Sequence, residues 1–158
     1  MRARLLALAA LALAPSAAQA GQTYGPYALA LAGVVAEHDP YLGYGDRHVV
    51  EALFAGDAHV FYPVGHHIAV RADHAVCRVS NVAITARSCQ LTFHGHTVNL
   101  TGPSANAVFA TIAASGVPGD GAAGTIYEAV HNLACTLTPS VIKQNAGGGA
   151  SCVFTVGP

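Results

Sequence analysis

Nine histidines are the residues of this chain best suited to chemistry, and most fall between positions 59 and 96. His94-Gly95-His96 would set two imidazoles on one face of a strand, because side chains alternate with period two. His59, His66, His67 and His74 occupy neighbouring strand or turn segments. A hairpin could carry them to a shared ion. Imidazole nitrogen suits Zn²⁺ and Cu²⁺, which makes His59, His66, His67, His94 and His96 the candidate ligands. No HExxH, Cys/His zinc spacing or acidic ligand cluster accompanies them. Solvated histidines on strand faces are the competing reading, and the leading expectation is that the protein has no cofactor.

The second candidate surface is aromatic. Tyr24, Tyr27, Tyr41 and Tyr44 are interleaved with Gly25, Pro26, Pro40, Gly43 and Gly45. Tyrosine offers a large amphipathic contact at small entropic cost, and glycine lets a loop present it. Tyr41-Leu42-Gly43-Tyr44-Gly45 therefore reads as a binding loop for a protein or glycan, with Tyr41 and Tyr44 as its contact residues. The bland alternative is a strand and turn whose tyrosines cover the core.

Other motifs carry less. Glu128 and His131 have the ExxH spacing of helical di-iron sites, but no second copy exists and on a strand they would diverge. Gly119-Asp120-Gly121-Ala122-Ala123-Gly124 matches GxGxxG without the strand before it or the acid about 20 residues after it that a dinucleotide needs. No GxSxG elbow is present. Nothing selects a carboxylate pair among Glu37, Asp39, Asp46 and Glu51. Asn99-Leu100-Thr101 is a glycosylation sequon that matters only in a eukaryote.

The elements that must position these residues are organised around four cysteines. Ala75-Val76-Cys77-Arg78-Val79 and Ser88-Cys89-Gln90-Leu91-Thr92 are echoed by Leu133-Ala134-Cys135-Thr136-Leu137 and Ser151-Cys152-Val153-Phe154-Thr155. Four cysteines allow three connectivities. The repeat favours Cys77–Cys89 and Cys135–Cys152. An apolar helical stripe precedes each pair: Val49, Val50, Leu53 and Phe54 after an Asp46 cap, then Val108, Phe109, Ile112 and Ala113 after a Ser104 cap. Gly56 and Gly116 close them. The Ala28–Ala36 run reads as a strand or a short buried helix. Strands are expected at His59–Val64, His67–Arg71, Ala75–Thr85, Ser88–Leu100 and Ala150–Val156. The segment from Thr125 to Leu137 reads as a strand on the strength of the repeat, although Ile126, Val130 and Leu133 also have helical spacing. A loop through Gly147-Gly148-Gly149 follows it. The expectation is an α+β domain with an antiparallel sheet, two short helices and an internal repeat of 46–92 and 104–155.

Composition fixes the compartment. Arg2 and Arg4, the apolar Leu5–Ala14 run and Ala18-Gln19-Ala20 form the three parts of a secretory signal peptide over residues 1–20. The apolar run is too short to span a bilayer. The mature domain would cover 21–158, periplasmic or secreted, where paired cysteines are stable. It would keep Arg47, Arg71, Arg78, Arg87 and Lys143 against eight acidic residues. Scattered basic residues give no stripe for nucleic acid. The reading is a small exported disulfide-stabilised binding or inhibitory module without catalytic activity. Its alternative is a periplasmic histidine-rich metal-binding protein, with a small secreted hydrolase third. Intact mass of exported material should start at Gly21, and a full-length mass would refute the leader.

Overall fold

The computed structural model describes residues 19–56, 64–79, 87–114, 130–145 and 148–156. Strand β1 (Gln19–Tyr24) leads into helix α1 (Gly25–His38), and α2 (Tyr44–Ala55) follows. Strands β2 (Ile68–Val79), β3 (Arg87–Phe93) and β4 (His96–Thr101) precede α3 (Gly102–Ala114). The chain then forms β5 (Val130–Leu137), α4 (Pro139–Asn145) and β6 (Ala150–Val156). All six strands make one antiparallel sheet in the order β1-β6-β5-β2-β3-β4. The fold is α+β, with four helices among the described residues.

Alternation explains which face is covered. In β6 every second residue, Ala150, Cys152, Phe154 and Val156, is buried, and β3 buries Cys89, Leu91 and Phe93 in the same way. These residues meet α1 and α3, whose own buried stripes are Ala28, Leu31 and Val35, and Ala105, Val108 and Ile112. The other face carries mostly polar side chains, together with Val76 and Val153. One row crosses the sheet through directly paired positions: Thr97, Thr92, His74, His131 and Thr155.

The two cystines join directly opposed residues, Cys77 with Cys89 across β2–β3 and Cys135 with Cys152 across β5–β6. Each staple closes a short loop and should contribute about 3 kcal/mol by loop entropy. Both pairs are fully buried on the helix-covered side. Cys89 Sγ lies 3.3 Å from the Ala105 carbonyl oxygen of α3, and Cys152 Sγ lies 3.5 Å from that of Ala28 in α1.

Those contacts line up two sets of elements. Ala28 and Ala105 stand at the same place after a Gly-Pro corner, and Gly25 and Gly102 turn the chain from strand to helix with φ of 65° and 63°. Thr23, two residues before one corner, pairs with Cys152, while Leu100, two before the other, pairs with Cys89. Thus β2-β3-β4-α3 matches β5-β6-β1-α1 about a pseudo-two-fold axis through the central β2–β5 pair. In this correspondence the two cystine-linked strand pairs match, and the partner of α3 is α1, which precedes β2 in the chain. Helix α2 packs on α1 and α4.

Other local expectations shift. Helix α2 starts at Tyr44 behind Gly43, so Asp46 lies within its first turn instead of capping it, and Gly56 closes it in the left-handed conformation as expected. Helix α3 starts at the Gly102-Pro103 corner, ahead of Ser104. The Ala28–Ala36 run is helical within α1. Strand β2 is continuous from Ile68, and α4 occupies part of what reads as a loop. Val130–Leu137 is a strand. His59, Glu128, the GxGxxG segment and the expected strand over residues 59–63 lie outside the described residues.

The two halves solve one packing problem differently. Gly21 pairs with Phe154, and at the matching place Val98 pairs with Leu91. A Cβ on Gly21 would sit 2.1 Å from Phe154 Cε2, so the large ring occupies the space that the missing side chain leaves. Gly21→Val alone should destabilise by about 1–3 kcal/mol through overpacking. Phe154→Leu alone should cost about 1 kcal/mol or more through a cavity. Urea unfolding of the double variant should recover most of the loss, since it recreates the Val98/Leu91 pair. Simple additivity of the two losses would contradict the correspondence.

Candidate functional site

The sheet leaves one place where loops and strand edges converge. Strand β3 reverses at a two-residue hairpin between paired Phe93 and His96. His94 and Gly95 there have φ of 47° and 83°, as a type I′ turn requires. The turn stops β3 short, so residues 68–72 of β2 pair with β5 alone. The α1–α2 connection approaches this free stretch of β2. Between them lies a cleft of about 400 Å³ lined by Asp39, Tyr41, Leu42, Gly43, Asp46, Ala69, Arg71, Asp73, Phe93 and His94.

The connection is held by polar contacts that its sequence supplies. Arg47 reaches back from α2 and donates to the Ala36, Glu37 and Asp39 carbonyls. The exposed carbonyl end of α1 thereby gains a positive partner. Asp39 is buried, and its Oδ1 accepts the Tyr41 N–H at 2.8 Å across Pro40. The Tyr41 ring meets His94 edge-on at 4.8 Å between centroids. Asp73 Oδ2 accepts the His94 backbone N–H at 2.6 Å. Asp46 faces His66 at 3.6 Å. Arg71 makes no hydrogen bond or ion pair among the described residues, so its guanidinium is available to a ligand. Three carboxylates against one guanidinium make the cleft acidic.

Both expected contact tyrosines are exposed, Tyr41 at 60% and Tyr44 at 86%. Tyr41 lines the cleft, while Tyr44 stacks on His48 outside it. Tyr24 and Tyr27 sit at the opposite end of α1, so the four tyrosines do not form one surface. Asp39, Arg71 and Asp73 escape a reading from sequence. For Arg71 and Asp73 the signal is their alternation with the buried Ile68, Val70 and Ala72.

Four of the candidate metal ligands, His66, His67, His94 and His96, are among the described residues. His94 is the first residue of the turn and His96 opens β4, so the two do not share a strand face. His66 faces Asp46, and His67 Nδ1 pairs with Thr138 Oγ1 at 2.9 Å. No group of three or more His, Cys, Asp or Glu able to hold an ion is found among the described residues.

A different histidine pair is close. His74 and His131 stack across β2–β5 at 4.7 Å between centroids and 15° between planes. Asn132, at φ 53°, and the bulge between His131 and Ala134 kink β5 beside them. Flanking positions on β3 and β6 are the uncharged Thr92 and Thr155. Burial, and then the charge of His131, hold the His74 imidazolium less stable than in water and lower its pKa. Unfolded His74 therefore binds a proton more readily, and linkage makes stability fall as pH drops below about 6.5 toward the folded value. The thermal midpoint of the native chain should fall more steeply below that pH than that of His74→Gln. Equal slopes would remove the pair from the acid response.

Comparison with known proteins finds no matching family model, no matching curated protein and no matching solved structure.

Proposed function

We propose that this chain is a small exported module that binds a macromolecular partner through the α1–α2 connection and the cleft beside it. The carrying observation is the pinning of residues 39–47. Arg47, Asp39 and His94 fix a loop whose tyrosines remain open to solvent. A prearranged aromatic loop loses little freedom on binding, which is how such surfaces gain affinity. Two cystines with no free cysteine suit an oxidising, extracellular environment. No helix among the described residues is long and apolar enough to cross a membrane.

The reading carries no catalytic step. Asp39, Asp46 and Asp73 each hold an internal partner at the cleft. They serve the shape of the site, and an inhibitory role would use the same loop as the contact. Immobilised mature protein should retain a partner from a glycan array or a native extracellular fraction. Tyr44→Ala, at a fully solvated position that leaves the fold intact, should weaken that retention by at least about tenfold if the ring is a main contact. Undiminished retention by both Tyr41→Ala and Tyr44→Ala would refute the loop as the binding surface.

A further inference from the structure

The described acidic residues are not scattered. Asp39, Asp46 and Asp73 line the polar cleft, and Glu37 and Glu51, the only others described, line a second cavity. That cavity is an apolar groove of about 550 Å³ between α1 and α2, closed at one end by Pro103 and Ser104 of α3. Its walls include Ala30, Val34, Val50 and the half-exposed Phe54. Gly33 lets the Phe54 ring lie against α1, since a Cβ there would come 2.4 Å from Phe54 Cζ. Asp46 faces the cleft, while Arg47, Val50 and Glu51 face the groove, so the two cavities adjoin along little more than one turn of α2.

Five carboxylates against Arg47 and Arg71 leave the linings of the two cavities negative. Arg47 is committed to the carbonyls of α1. Arg78 and Arg87 stand at the far end of the β2–β3 pair, with Arg87 lying over the Phe109 ring. Only Arg71 offsets the carboxylates of the cleft. We infer that groove and cleft together dock a basic polypeptide segment. A Lys or Arg side chain enters the cleft among Asp46, Asp73 and Tyr41, and a neighbouring apolar side chain lies in the groove between Val34 and Phe54. The inference rests on the binding-module reading and adds the partner's chemistry. Asp46 and Asp73 keep free carboxylate oxygens that a cation can use, and an open tyrosine ring favours a cation over its face. Glu37 and Glu51 at the groove rim attract the charges flanking an apolar side chain and repel an acidic partner.

The probe is an immobilised library of random hexapeptides, screened beside a glycan array with the disulfide-intact protein. Retained peptides should carry Lys or Arg next to Leu, Ile or Phe. The affinity of the best peptide should fall about fivefold in Asp46→Asn and in Asp73→Asn, the scale of a lost solvent-facing ion pair. Asparagine can still accept the His94 N–H, and circular dichroism checks that both variants fold. Arg78→Gln, at the far end, should leave affinity unchanged. Retention of peptides without basic residues, or of glycans alone, would overturn the cationic partner while leaving a binding module. Retention of nothing on either array would overturn both.

Discussion

The β2–β5 ladder is the interaction on which the rest of the molecule depends. The sheet order places β1, β6 and β5 on one side and β2, β3 and β4 on the other, and only β2–β5 pairing joins them within the sheet. Each cystine lies inside its own half, so no disulfide crosses the seam. Across it run a backbone ladder, a stacked histidine pair and the packing of α1 on α3, where Thr111 Oγ1 donates to the Tyr27 carbonyl at 3.2 Å. The seam must therefore be held by hydrophobic burial and hydrogen bonding. Ile68, Val70 and Ala72 face Leu137, Cys135 and Leu133, all buried.

The same seam sets the candidate site. Because β2 extends past β3, its first half offers an edge free of a strand partner, and the α1–α2 connection comes to lie beside it. The pseudo-symmetry accounts for the two-layer body: strand, strand, strand, Gly-Pro corner and helix, twice. It does not account for α2. That helix stands outside the matched elements, and both cavities are built against it. The matched elements supply stability, and α2 supplies a surface.

Much of the body is legible in the sequence, for reasons of period and punctuation. Cysteines between alternating apolar residues identify paired strands, and the Val108–Ile112 stripe and Gly56 identify helix parts. The frame of the repeat is harder to read because the second half is closed by β1 and α1 at the opposite end of the chain. The two Gly-Pro dipeptides at Gly25 and Gly102 carry that signal, but a search for tandem units passes over it. His94-Gly95 misleads because a strand-like run conceals a turn whose left-handed residue is histidine, not the more usual asparagine or aspartate. Arg47 illustrates what no local pattern gives: its partners are carbonyls on another helix.

Amide hydrogen exchange on the disulfide-intact protein tests the seam most directly. If β2–β5 unites the halves, amides of residues 68–75 and 130–137 should exchange only with global unfolding, at the same free energy as those of β3 and β6. Exchange of the central ladder at a markedly lower free energy, with β3 and β6 still protected, would mean that the two cystine-stapled halves are separate units, and would contradict the account.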